Sequence, residues 1–151
     1  MTLFRIAHPD YVDPFDGEGA RRYGGRWNPK GVPLLYYATT LALAALEKRV
    51  HTPAAALGRT WKTITIEVPD ALVMLANPAG LPTDWADEPA PNSTKRLGND
   101  WVKAGTSLGL LVPSTVIPSE LNALLNPAHQ DLSQARHLKT EDFVFDPRLA
   151  K

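Results

Sequence analysis

Residues 22–31 read RYGGRWNPKG. Glycine and proline at this density exclude a regular helix, and an arginine, an indole, an amide and a lysine are unusual filler for a plain turn. Gly24 and Gly25 free backbone N–H groups, Arg26 and Lys30 supply fixed cations, and Asn28 adds an amide. Together these are the parts of an anion or phosphate cradle. The order does not fit GxxxxGK[ST], so a P-loop is rejected. The alternative is a structural turn with Trp27 tucked into the core.

Glu47 is the second chemically suggestive residue. In LALAALEKRVH, residues 41–51, a helical period of about 100° per residue centres Leu43, Leu46 and Val50 on one apolar arc. Lys48 and Arg49 straddle the opposite side, which leaves Glu47 on the shoulder beside Leu43 and Ala44. A carboxylate there is partly desolvated and needs donors, whether as a functional acid or as the partner of an arginine. Tyr36 and Tyr37 are adjacent in an apolar strand and face opposite sides of it, so at most one of them is expected to reach a cleft, core packing being the alternative for either. Ser114, after a proline in VPST, can bond a ligand or close a turn.

Other chemistries are narrowed by composition. The 151 residues contain no cysteine, which removes disulfides, thiolate nucleophiles and thiolate metal sites and fits a reducing compartment. His8, His51, His129 and His137 form no i,i+4 pair and no HExxH, so no metal centre is expected. Sixteen Lys+Arg balance sixteen Asp+Glu, so no global positive field advertises nucleic acid or an anionic membrane. The first residues lack a basic, then apolar, leader pattern, and no apolar run approaches about 18 residues. The expected localisation is cytoplasmic, and the expected organisation is one domain over 1–151.

The elements that must position these residues follow from periodicity. TLFRIA at 2–7 and LLYYA at 34–38 read as strands, joined by a turn-rich segment ending near Gly31. Thr39 or Thr40 caps the helix at 41–51. WKTITIEV at 61–68 alternates strictly and predicts a strand with one apolar face. Residues 77–93 are a proline-dense irregular loop. A helix is expected near 94–105, a strand near 108–112, a strand or turn near 115–118, a short helix in SELNALLN at 119–126, and a last strand in FVFD at 143–146.

Read together, GGRWNPKGVPLLYYATTLALAALEKRVH, LGNDWVKAGTSLGLLVPSTVIPSELNALLNPAHQDL and FDPRL resemble the RES-domain toxins, a bacterial family named for its Arg, Glu and Ser. The resemblance implies an α+β fold, a mixed-sheet single domain like that of ADP-ribosyltransferases, with NAD bound in a cleft between sheets. It places the family arginine on Arg26, its glutamate on Glu47, its serine on Ser114 and its tyrosine on Tyr36, and these four are the expected catalytic residues. The expected NAD-contacting set is Arg26, Asn28, Lys30, Tyr36, Ser114 and Asn126, with NAD as substrate and no prosthetic group.

The activity implied is that of a toxin of a type II toxin–antitoxin system. It cleaves the nicotinamide–ribose bond of NAD, with water or phosphate as acceptor; transfer of ADP-ribose to a protein is the alternative on the same fold. A protein-interaction module without turnover is a third reading, disfavoured by retention of all four side chains. The implied partner is an Xre-like helix-turn-helix antitoxin, with a homodimer inside the toxin–antitoxin complex, and neither nucleic acid nor membrane is contacted directly.

Overall fold

The computed structural model describes residues 1–151. Seven strands form one hydrogen-bonded sheet in the order β4-β5-β6-β2-β1-β3-β7. They are β1 (Thr2–Ala7), β2 (Leu35–Ala38), β3 (Trp61–Glu67), β4 (Val73–Leu75), β5 (Gly109–Pro113), β6 (Leu121–Leu125) and β7 (Arg136–Phe143), with helices α1 (Glu18–Tyr23), α2 (Leu41–Val50) and α3 (Asn92–Ala104). The β4–β5 pair is parallel and every other pair antiparallel, so the sheet is mixed and the fold is α+β. No helix is long and apolar enough to cross a membrane.

The centre of the sheet positions the site. β1 pairs with β3 along its whole length, but with β2 only through Phe4 opposite Ala38. That single register pair is a seam between two halves, β4-β5-β6-β2 and β1-β3-β7. The expected cleft between two sheets is therefore a cleft at the seam of one sheet.

Three apolar clusters form the core, and the first runs across the seam. Leu3, Leu35, Ile64, Ile66 and Leu125 share one core cluster, and Ile6, Leu43, Ala44, Trp61 and Phe145 form another beneath α2. The third holds Trp27, Leu34, Trp101, Val112 and Leu124. Thr40 is the cap of α2: its hydroxyl oxygen accepts the Leu43 N–H at 3.1 Å, satisfying one first-turn donor.

Two expectations are corrected. SELNALLN is not a helix: Leu121–Leu125 is strand β6, paired with β2 on one side and β5 on the other. Leu121, Leu124 and Leu125 mimic helical spacing, but the strand lies between two others and tertiary pairing overrides the helix-forming Ala and Leu. FVFD is not the last strand: β7 runs Arg136–Phe143 and ends where FVFD begins, after which Phe145 turns inward edge-to-face on Phe143 at 5.0 Å. Residues 115–118 form a turn.

Candidate active site

Trp27 does go into the core, at 3% exposure, and its neighbours explain the composition of the loop. The Trp27 N–H donates to the Tyr36 hydroxyl at 2.9 Å, and that hydroxyl donates to Asn28 Oδ1 at 2.6 Å. Asn28 Nδ2 donates to the carbonyls of Ala20, Pro29 and Val32. A Cβ on Gly25 would stand 2.6 Å from the Tyr36 hydroxyl oxygen, so only glycine admits this approach. Burial raises the Tyr36 phenol far above its ordinary pKa, against the smaller opposing effects of the Trp27 N–H and the Arg26 charge. Tyr36 is a neutral pin that fixes the loop against β2.

Arg26 leaves this pinned loop with its side chain only 12% exposed. Its Nη1 donates to the carbonyls of Trp85 at 2.9 Å and Asp87 at 2.8 Å, and its Nη2 pairs with Glu88. The guanidinium thus ties the 85–88 segment across the cleft, largely committing its donors to protein oxygens. Glu47 reaches the same cleft from α2. Its Oε1 accepts from Ser114 Oγ at 2.7 Å and Asn122 Nδ2 at 2.6 Å. Ser114 Oγ in turn accepts the N–H groups of Val116 and Ile117, each at 3.0 Å. The serine hydroxyl both closes a turn and orients the carboxylate. Two neutral donors hold one carboxylate oxygen and leave Oε2 without a protein partner, so Glu47 is not the arginine-paired edge residue of the alternative reading.

A cleft of about 820 Å³ lies along the seam. Of the expected residues, Arg26, Tyr36 and Glu47 line it. Four others do not: Ser114 is fully buried behind Glu47, Asn28 is fully buried beneath the loop, Lys30 is exposed on its outer turn, and Asn126 is buried at the end of β6. The Asn126 amide donates to the Val102 carbonyl and accepts the Ala128 N–H, which makes it a cap between β6 and the following turn. For Asn28 and Asn126 the polar groups are consumed by backbone and by Tyr36, so the geometry gives them a scaffolding place.

Tyr37 lines the cleft as well as Tyr36, against the expectation of at most one, and three polar lining residues were missed. Asn122 sat in a segment read as a helix, and its reach to Glu47 is visible only once β6 is a strand beside β2. Arg5 is a lone cation in an otherwise apolar strand, a signal that could have been weighed. Lys48 was assigned to the solvent side of α2 but lines the cleft, with its amine 4.5 Å from the centre of the Trp61 ring.

Fold and site define a compact α+β protein with an anchored carboxylate and several cations in one cleft. The RES domain family model matches residues 2–146; the chain belongs to the RES domain family. It is 41% identical to Toxin Res of Yersinia enterocolitica, covering 99% of both chains. It is 38% identical to the Prs ADP-ribosylating toxin of a Sphingobium species, covering 93% of this chain and 89% of that one. The NAD(+) phosphorylase MbcT of Mycobacterium tuberculosis is 40% identical over 72 residues, 41% of this chain and 37% of its own. The solved M. tuberculosis MbcT–MbcA toxin–antitoxin complex matches with a TM-score of 0.79 at 24% identity, over 99% of this chain and 86% of that one.

Proposed function

We propose that this chain, acting as one domain over 1–151, is the toxin component of a type II toxin–antitoxin system and consumes NAD in the cytoplasm. The observation that carries the reading is the Glu47 carboxylate, held at Oε1 by Ser114 and Asn122 and free at Oε2 on the cleft wall. The names of the Sphingobium and M. tuberculosis relatives support NAD as its substrate.

When the nicotinamide–ribose C–N bond breaks, its electron pair leaves with nicotinamide and the ribose becomes oxocarbenium-like. A fixed carboxylate beside that ring stabilises the positive charge, and its free oxygen can hold a ribose hydroxyl. Ser114 and Asn122 act through Glu47 as positioning residues. The Tyr36 ring supplies a wall, and Arg26 holds the 85–88 segment at the mouth. An oxygen of phosphate or water then forms the new bond to the ribose carbon.

Transfer of ADP-ribose to a protein is the second reading, favoured by the 38% identity to an ADP-ribosylating toxin. Incubating purified chain with ribose-labelled NAD, with and without inorganic phosphate, separates the acceptors. Label in ADP-ribose 1-phosphate or free ADP-ribose indicates phosphorolysis or hydrolysis, label retained on protein indicates transfer, and intact NAD in every arm refutes the function. The partner proposed is an Xre-like helix-turn-helix antitoxin, in a complex that also contains a second copy of this chain.

A further inference from the structure

The proline-dense segment 77–93 supplies Glu88, Pro89 and Ala90 to the wall of the main cleft, and it is fastened unevenly. Leu81 and Trp85 pack against the core cluster that holds Trp27 and Trp101. Asp84 Oδ1 accepts the Ser93 hydroxyl at 2.6 Å, which ties the segment to the first turn of α3. Residues 84–93 are thus a loop closed at its neck. Its tip is different: residues 86–89 are exposed. Within 86–90 the Asp87 N–H donates to the Asp84 carbonyl at 3.0 Å, and the remaining hydrogen bonds all go to Arg26.

The tip therefore rests on one guanidinium. The Trp85 and Asp87 carbonyls and a Glu88 carboxylate oxygen occupy both terminal nitrogens of Arg26, as the oxygens of an anionic ligand would. The Arg26 side chain makes no other hydrogen bond to protein. An anion entering the cleft and the tip of the loop draw on the same donors. The closure is also weakly held. Arg26 is 12% exposed but Glu88 is 67% exposed, so solvent screens their attraction, and ordering 86–90 costs conformational entropy.

We propose that residues 85–90 are an intrasteric strap, latched by Glu88 onto Arg26, which an incoming anionic substrate displaces. The identity of that substrate rests on the NAD reading above; the latch does not.

Glu88→Gln keeps the length of the side chain and removes the charge that latches it. At the strength of an exposed ion pair, the open fraction and the apparent affinity for ligand are expected to rise about fivefold. Two measurements on the full chain read this. One is the rate at which phenylglyoxal modifies Arg26, followed by peptide mass with the exposed Arg59 as internal reference. The other is calorimetric affinity for ADP-ribose. Faster modification of Arg26 together with tighter ADP-ribose binding in Glu88→Gln is the expected result. An unchanged modification rate in the folded variant overturns the latch. Faster modification with weaker or unchanged ADP-ribose binding overturns the competition, because the strap would then be part of the ligand's wall. Should Glu88→Gln not fold, Glu88→Asp, which shortens the reach to Arg26, carries the same comparison. Faster modification of Arg26 with no ADP-ribose bound by either protein refutes the NAD reading and leaves the latch standing.

Discussion

At the scale of single residues, a carboxylate and a phenol make separable predictions. Glu47→Gln keeps the size of the side chain and removes its charge, so an effect confined to the oxocarbenium-like state appears in turnover rather than in NAD affinity. Fixed electrostatic contacts of this kind are worth roughly two to three decades in rate, and that drop in single-turnover rate with near-normal NAD binding is the expected result. A folded Glu47→Gln protein with wild-type turnover would remove the carboxylate from the mechanism. The second prediction concerns Tyr37, whose hydroxyl donates to the Pro14 carbonyl at 2.9 Å. Burial raises its pKa from 10.0 to about 12, with Arg5 opposing. Between those values the unfolded chain releases the proton and the folded chain keeps it. The contribution is intact below about pH 10 and is lost as pH rises toward 12, amounting to about 1 kcal/mol by pH 11. The fall in melting temperature from pH 8 to 11 should therefore be shallower in Tyr37→Phe than in the wild type; equal slopes would show that burial does not govern this phenol.

At the scale of elements, legibility in the sequence tracked how far local pattern and tertiary environment agree. β3 alternates apolar and polar residues, and Thr40 caps α2, so both were readable from local chemistry. β7 was not: RHLKTEDF is almost wholly exposed and belongs to a strand only because it pairs with β3 at the sheet edge. The site divided in the same way. Arg26 and Glu47 stood out by residue type and neighbours and Tyr36 was told from Tyr37 only by the family resemblance, whereas Asn122, Arg5 and Lys48 enter the cleft through the β2–β6 pairing and the β1–β2 seam, which no short window encodes. The contact between α3 and the GGRW loop is another such case. A Cβ on Gly98 would land on the carbonyl oxygen of Trp27, and backbone cannot swing aside as a side chain can. Gly98→Ala must push the helix off the loop, an overpacking cost of about 3 kcal/mol. For a chain of this size that is roughly 6 to 12 °C in melting temperature. Because the same loop carries Trp27 onto the Tyr36 hydroxyl, NAD turnover should fall along with stability; a variant with wild-type melting temperature would show that α3 and the loop are free to separate.

For the whole molecule, the governing facts are a net charge of zero and an open cleft. A net charge of zero supplies no global field toward DNA, so operator binding by a toxin–antitoxin complex is expected to come from the partner. An unrestrained NAD-consuming cleft would also deplete the cell that makes it, which places the need for control at the cleft mouth. Tyr23 stands there 65% exposed on the cleft wall, an aromatic ring available to an inserted segment. Expression of this chain alone is expected to lower cellular NAD as growth stops, and co-expression with the proposed Xre-like antitoxin to restore both. In the purified complex, hydrogen exchange should slow in residues 23–27 as turnover disappears, and DNA binding should accompany the partner alone. A partner that binds tightly while NAD turnover continues would mean that inhibition does not act by covering the cleft. Growth arrest with cellular NAD unchanged would remove NAD consumption as the cause of toxicity.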